Sequence, residues 1–271
     1  MILTKLKICI MKNMRILMVL LFVLLLSNCS RNKKYEKGFP VSPETQMTDG
    51  KEKDGIIKDS VNFDTRPSSV LLTGFPKYRL TTVYKLNYDK KRDVYYTGYN
   101  HYYSTYTEKV NTKGNQWNNN FMPGLQAVFG YNLVNVSLYN VESKKQKKMF
   151  DKPVLIKTIY YPSFTNDTLN YKPVNRDFYM ISVYDEDTNK DGLINLKDLR
   201  RFYTFDLNGL NKKELIPRNY SVISSEYDSA NDYMYVFAQL DKNNNGQNDD
   251  KEDIHVFWID LKNPNNNGRQ Y

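Results

Sequence analysis

Residues 176–207 read RDFYMISVYDEDTNKDGLINLKDLRRFYTFDL, and this stretch decides the expected fold. Its two ends, residues 176–184 and 203–207, are rich in aromatic and β-branched residues, which is typical of β-strands. The middle is rich in Asp, Asn, Lys and Gly, which is typical of an exposed connection. The stretch therefore predicts a strand, a long polar loop and a second strand.

The same arrangement returns further along the chain. Tyr179 and Tyr233 begin the two copies, at an offset of 54 residues (233 − 179). The same offset relates the other matched positions, which are Met180 and Met234, Asp187 and Asp241, Asp198 and Glu252, and residues 203–207 and 257–261. Residues 132–148 resemble the closing strand of a third copy that lacks the loop. The repeat predicts supersecondary units of one kind.

An all-β domain is expected for residues 61–271. Short segments with strand composition occur at residues 78–87, 93–99, 134–141 and 154–161. The segments 221–228, 233–240 and 254–261 resemble a blade of a Tol-type or WD-type propeller, in which a pattern such as Ile-Asp-Leu ends the third strand. This resemblance covers about residues 125–271 and implies propeller-like β repeats. Stacked sheets or a β-sandwich are the alternatives, because about 210 residues supply only four blades at this period.

The first polar stretch has the pattern of a twelve-residue calcium loop. We call residues 187–198, DTNKDGLINLKD, loop 1. Such a loop places oxygen ligands at positions 1, 3, 5, 7, 9 and 12 and a glycine at position 6. The predicted ligands are Asp187, Asn189, Asp191, the carbonyl of Leu193, Asn195 and Asp198, with Gly192 at the bend. Ile194 at position 8 is expected to pack inward.

The second polar stretch, residues 241–252, is called loop 2 and reads DKNNNGQNDDKE. Its predicted ligands are Asp241, Asn243, Asn245, the carbonyl of Gln247, Asp249 and Glu252, with Gly246 at the bend. Each loop departs once from the usual pattern. In loop 1, Asp198 at position 12 is one methylene shorter than the usual Glu, which resembles dockerin-type loops. In loop 2, Asn248 replaces the apolar residue at position 8.

Structural Ca²⁺ is the role that the flanking sequences favour. Each loop carries three carboxylates, which nearly balance one divalent ion. The flanks are strand-like, so the paired helices that open in a calcium sensor are not expected. The alternative is a pair of Asp/Asn/Gly turns that need no ion.

Residues 1–28 are predicted to be a signal peptide. Four basic residues precede the apolar run 16–26, which is shorter than the roughly 20 apolar residues of a membrane span. The sequence that ends at Cys29 resembles a bacterial lipobox, although Asn28 stands where a small residue is usual. This resemblance implies a lipid on Cys29, and an ordinary signal or an uncleaved anchor is the alternative. Residues 29–60 have the composition of a flexible tether.

Composition narrows the remaining function classes. The formal net charge of +9 falls to +5 without the four basic residues of the leader, so no nucleic-acid partner is expected. The only cysteines are Cys9 and Cys29, which leaves no thiol for catalysis in the domain. His255 is expected to point outward from a strand. Ser30 after the lipidated cysteine, where inner-membrane retention would use Asp, favours an outer-membrane lipoprotein.

Aromatic residues supply a second hypothesis. Trp117, Tyr102 and Tyr103 lie in segments rich in Tyr, Asn and Gln, and they are candidates for a surface that binds sugars or protein. The leading expectation is a calcium-binding, lipid-anchored envelope protein that acts as a binding or scaffold module for an unknown protein or glycan. A carbohydrate-binding or carbohydrate-processing lipoprotein is the alternative, and an enzyme with acid and base carboxylates is a third.

Overall fold

The structure is a computed structural model and describes residues 38–41, 63–102, 122–249 and 251–271. These residues form strands, turns and irregular segments without a helix, so the predicted all-β class is confirmed. Accordingly, no helix in the described part is long and apolar enough to cross a membrane. The strands are β1 Phe39–Pro40, β2 Thr65–Leu72, β3 Tyr78–Lys85, β4 Asn87–Asp89, β5 Val94–Tyr96, β6 His101–Tyr102, β7 Leu125–Phe129, β8 Leu133–Asn140, β9 Lys145–Lys148, β10 Leu155–Pro162, β11 Thr168–Leu169, β12 Lys172–Pro173, β13 Phe178–Tyr184, β14 Leu193–Ile194, β15 Arg201–Asp206, β16 Lys213–Glu214, β17 Tyr220–Asp228, β18 Tyr233–Leu240, β19 Ile254–Asp260 and β20 Asn267–Arg269.

Three antiparallel sheets share one four-stranded order. The N-terminal sheet is β2-β3-β8-β9, and the C-terminal sheet is β17-β18-β19-β20. The central sheet contains β10-β13-β15-β16 and is extended beyond β10 by β7 and β6. In each sheet the first strand of this order carries a bulge against the second. The repeat that the sequence indicated therefore occurs three times, and β8 closes the copy that lacks a polar loop.

Apolar side chains on both faces of the central sheet hold the stack together. On one face, Ile159 and Ile181 belong to a core with Leu80 of the N-terminal sheet. On the other face, Met180 belongs to a core with Met234 of the C-terminal sheet. The central strands are covered on both sides, which explains why every residue of β13 is buried while burial alternates along β3.

The stack does not close into a ring in the described part of the chain, so of the predicted arrangements stacked sheets, rather than a propeller, are observed. The outer face of the C-terminal sheet shows the difference. Tyr233 and Trp258 stack on each other on this face, with ring centroids 5.4 Å apart, and both are half-buried. A closed ring would cover such a face with the next blade.

The two loop-bearing copies differ in strand register by one residue. Tyr179 pairs with Phe205 in the first copy. The equivalent Tyr233 pairs with Asp260 rather than with Ile259, the counterpart of Phe205. A slip of one residue exchanges which side chains face the core. As a result, Met234 and Ile259 share the buried face of the C-terminal sheet.

A buried ion pair connects the central and C-terminal sheets. Arg176, just before β13, donates two hydrogen bonds to Asp232 in the turn between β17 and β18, at 2.7 and 2.9 Å. The same guanidinium donates to the carbonyls of Leu261 and Pro123. Both charged side chains are nearly inaccessible to solvent. The pair therefore fixes the position of one sheet against the other.

Residues 38–41 fall inside the segment that the sequence predicts as a tether, yet they pack on the domain. Phe39 is 3% exposed and lies in a third core cluster with Ile194 and Leu155. The predicted signal peptide, Cys29 and the rest of the predicted tether lie outside the described residues. Those assignments remain predictions.

Candidate calcium site

Loops 1 and 2 occupy equivalent places in two neighbouring sheets. Loop 1 joins β13 to β15, and loop 2 joins β18 to β19. In both cases the joined strands are antiparallel neighbours. Each loop is therefore a long hairpin connection whose two ends are fixed by the strand ladder.

The carboxylate at position 1 of each loop accepts hydrogen bonds from the backbone amides at positions 5 and 6. In loop 1, Asp187 accepts from the amides of Asp191 at 3.1 Å and Gly192 at 2.9 Å. In loop 2, the two corresponding distances to Asp241 are both 3.1 Å. The first acidic side chain therefore points into the loop and curls the backbone around itself.

Positions 3 and 5 form Asx turns, in which a side-chain oxygen accepts from the amide two residues further on. Asn189 accepts from the Asp191 amide and Asp191 from the Leu193 amide, both at 3.0 Å. The corresponding distances in loop 2 are 2.9 and 2.8 Å. Position 4 has a left-handed backbone in both loops, with φ of 60° at Lys190 and 56° at Asn244.

The carboxylate at position 12 closes each loop on its own beginning. In loop 1, Asp198 accepts from the amides of Thr188 at 2.9 Å and Asn189 at 3.4 Å. In loop 2, Glu252 Oε1 accepts from the amides at positions 2 and 3, at 2.9 and 3.3 Å. Six hydrogen bonds are thus repeated between two loops of different sequence.

The second oxygen of the position-12 carboxylate differs between the loops. Asp198 Oδ2 accepts from the Asn195 amide at 2.8 Å, and the residue is completely buried. Burial raises the pKa of Asp198, while its backbone hydrogen bonds oppose that rise. Glu252 Oε2 is buried and has no hydrogen-bond partner among the described residues. A buried carboxylate oxygen without a partner is costly, and a cation beside it would remove that cost.

Positions 8 and 9 test the remaining predictions about the loops. Ile194 is 4% exposed, so the predicted inward packing at position 8 of loop 1 is confirmed, whereas Asn248 is exposed. At position 9, Asn195 lies 3.4 Å from the Asp191 carboxylate. The matching contact in loop 2 joins Asp249 and Asn245 at 2.7 Å.

The two loops touch each other directly. Thr188 Oγ1, at position 2 of loop 1, donates to the carbonyl of Gly246 at 2.6 Å and accepts from the Leu199 amide at 2.8 Å. A Cβ at Gly246 would lie 2.0 Å from the Thr188 carbonyl oxygen, so only glycine fits there. Asp198 also forms an isolated β-bridge with Gln247. Ligand positions of one loop are therefore packed against those of the other.

The donor set suits a hard cation bound through oxygen. Among the described residues, no three acidic, histidine or cysteine side chains converge on one point as a ready-made metal site. Each loop instead combines carboxylate oxygens with amide and carbonyl oxygens, which is the mixture that Ca²⁺ takes in flexible loops. Because the loops already have the required order of residues and the curled backbone, their residues fit this ion.

Of the other candidate residues, the structure describes His255 and Tyr102. His255 does not point outward as expected, because it lies on the core side of β19 and its Nδ1 is 2.8 Å from the Tyr220 hydroxyl. Tyr102 lies on the edge strand β6 and is 52% exposed. Trp117 and Tyr103 are outside the described residues.

Two features of the site have little signal in the sequence. Thr188 stands at a position of the loop pattern that accepts many residues, so its contact with loop 2 could not be predicted. Segment 38–41 pairs with loop 1 from about 150 residues away along the chain. The aromatic residue Phe39, between Gly38 and Pro40, was the only sequence sign that this segment packs on the domain.

Neither a model of a known protein family nor a curated protein sequence matches this chain.

Proposed function

We propose that this chain is a calcium-binding, lipid-anchored protein of the cell envelope, in which two structural Ca²⁺ ions stabilise a β domain that serves as a binding or scaffold module. The observation that carries the calcium part is the set of six hydrogen bonds repeated in loops 1 and 2. Loops of unlike sequence acquire the same internal geometry because the same ligand positions organise both. The unpartnered Oε2 of Glu252 adds a local reason for a cation.

A structural role follows from where the loops are attached. Both connect neighbouring strands of stacked sheets, and no helix pair that could open on calcium binding is present in the described ranges. An ion in either loop would order a long connection without moving the sheets. Extracellular calcium modules bind with dissociation constants of about 10⁻⁴ to 10⁻³ M, which suits the envelope.

Thermal unfolding of the purified protein tests the calcium part. With two such sites, about 2 mM Ca²⁺ adds roughly 0.7 to 1.8 kcal/mol per site by mass action. For a domain of this size the midpoint should rise by roughly 3 to 14 °C over the value in chelator. Equal midpoints with calcium and with chelator would rule out this role.

The membrane part rests on the sequence around Cys29. Cell fractionation should find the wild-type chain with membranes, and the Cys29→Ser variant should be lost from that fraction. Mass spectrometry of the wild-type N-terminus should detect the lipid. A soluble wild-type chain without a lipid would contradict the anchor while leaving the calcium proposal intact.

A second candidate, carbohydrate binding, is favoured by exposed tyrosines on β5, on β6 and in the connection between these strands. Tyr95, Tyr99 and Tyr102 are 62%, 66% and 52% exposed. His101 lies between Tyr99 and Phe129, with ring centroids 4.5 and 5.1 Å away. Rings with polar handles can stack on sugar faces. A glycan array should then show binding that Tyr99→Ala or Trp117→Ala removes and Tyr271→Ala, at the chain's end, retains.

A further inference from the structure

The short segment 38–41, which contains strand β1, pairs with the backbone of loop 1. In β1, Phe39 pairs with Ile194 and Pro40 pairs with Leu193, the residues at positions 8 and 7 of loop 1. The amide of Val41 donates to the carbonyl of Gly192, at position 6, at 3.0 Å. Segment 38–41 is therefore the strand partner of the part of loop 1 that contains the predicted carbonyl ligand.

Several contacts fix segment 38–41 in this place. The Phe39 ring lies 5.1 Å from the Phe63 ring and is almost fully buried. Lys85 donates from Nζ to the Gly38 carbonyl at 3.3 Å. Gly38 has φ of 70°, and a Cβ there would lie 2.0 Å from the Ile194 carbonyl oxygen. The close approach of the two backbones thus requires glycine at this position.

Within the described residues, the strand pairing of loop 2 does not involve segment 38–41. Its position 7, Gln247, pairs with Asp198 of loop 1 instead. Its position 8, Asn248, is exposed, whereas Ile194 is buried beside Phe39. Segment 38–41, loop 1 and loop 2 therefore form a row of successive contacts, with loop 1 in the middle.

We infer that calcium binding by loop 1 and attachment of segment 38–41 to the domain are coupled, so that each strengthens the other. This inference rests on the proposed calcium function. Ion binding requires the Leu193 carbonyl to hold one orientation, and the pairing of β1 with Leu193 and Ile194 constrains the backbone on both sides of that carbonyl. Any factor by which the attached segment raises calcium affinity is, by linkage, the factor by which calcium favours attachment. Phe39 is accordingly a positioning residue for loop 1.

The coupling has a consequence for a chain anchored at Cys29. With segment 38–41 attached, the chain between the lipid and the domain ends at residue 37 and spans at most about 30 Å. With the segment released, that chain extends to residue 62 and spans at most about 115 Å. Calcium would therefore set the greatest distance between the membrane and the domain.

Hydrogen exchange and calorimetric titration of the full chain in detergent test this inference, with CaCl₂ as the probe. Calcium should slow exchange of the Val41 amide by about tenfold or more. The Val141 amide, which donates to the Lys77 carbonyl just before β3, should change little. The Asp187→Asn variant should lose the effect at Val41. Phe39→Ala should weaken calcium binding by loop 1 about fivefold or more, and Phe150→Ala, which removes an equally buried ring elsewhere, should leave it within about twofold.

Different results would overturn the proposed calcium binding and the proposed coupling. A wild-type chain that binds no calcium overturns the proposed function and the coupling together. A wild-type chain that binds calcium overturns the coupling alone if exchange at Val41 is unaffected and Phe39→Ala titrates like the wild type.

Discussion

At the scale of single residues, the stability of the fold depends most on a pair of buried charges. Arg176 and Asp232 are almost fully buried and satisfy each other through two hydrogen bonds. Tyr227 adds a third contact to the Asp232 carboxylate at 3.1 Å. The pair joins two sheets, so each charge depends on the other for its solvation.

Removing one member of this pair should destabilise the fold strongly. Asp232→Ala leaves the Arg176 charge buried without a counterion, and we expect the free energy of unfolding to fall by about 3 to 5 kcal/mol. Denaturant unfolding measures this change. Glu142→Ala is the control, because Glu142 pairs with Lys77 at the surface and its loss should change stability little. Equal effects of the two substitutions would contradict the role of the buried pair.

Glu252 should affect calcium binding and stability in opposite ways. Glu252→Gln keeps an oxygen for the amides of Lys242 and Asn243 but removes the charge of the unpartnered Oε2. We expect calcium affinity of loop 2 to fall about tenfold or more, while the unfolding midpoint in chelator stays level or rises. Glu226→Gln, on β17 and outside both loops, is the matched control. A lower midpoint in chelator with unchanged affinity would show that Glu252 is only a structural residue.

The ligand positions could be predicted residue by residue because the loop pattern assigns each of them a backbone place. The contacts that join the loops could not. Thr188 and Gly246 meet through three-dimensional packing, and either residue would satisfy the pattern without the contact. Likewise, Asp232 gave no sign in the sequence that it would be buried.

At the scale of elements, strand composition located the strands well but not their register. The expected strands at residues 78–87, 134–141 and 154–161 correspond to β3, β8 and β10. The constant spacing of the repeat predicted supersecondary units of one kind, and it did not specify how their strands pair. Pairing in the C-terminal sheet is shifted by one residue, since packing of Met234 and Ile259 against the central sheet decides the register.

The contact between the loops predicts that one substitution affects both calcium sites. Thr188→Val removes the hydroxyl that bonds to the Gly246 carbonyl and to the Leu199 amide. We expect calcium affinity to fall about threefold to tenfold in loop 1 and also in loop 2. Titration of Thr188→Val beside Thr168→Val, an exposed threonine on β11, measures the difference. Loss of affinity in one loop only would mean that the loops act separately.

At the scale of the whole molecule, three sheets that share a four-stranded unit form an open stack, and the loops are attached to the second and third sheets. The sequence indicated the repeated unit, and the structure shows that the unit also underlies the N-terminal sheet. Closure could not be predicted, because one repeat period fits a ring or an open stack equally well. The copy in the N-terminal sheet could not be recognised in full from the sequence, because its strands β3 and β8 are joined by a long connection that contains other strands instead of a polar loop.

Calcium removal should loosen the loops without dissolving the stack. The cores on both faces of the central sheet do not involve the ligand side chains. With chelator, hydrogen exchange should therefore accelerate in residues 185–200 and 241–249, while β3 and β8 keep their protection. Uniform acceleration over all three sheets would instead assign calcium a role in holding the sheets together.

Isothermal titration of the purified protein with calcium tests directly whether the two loops bind the ion. We predict two equivalents of Ca²⁺ for the wild type and none for a variant that carries both Asp187→Ala and Asp241→Ala, because each position-1 carboxylate organises its own loop. Circular dichroism of the double variant should keep its β signal. Absence of calcium binding by the wild type, or equal binding by the folded double variant, would contradict the account.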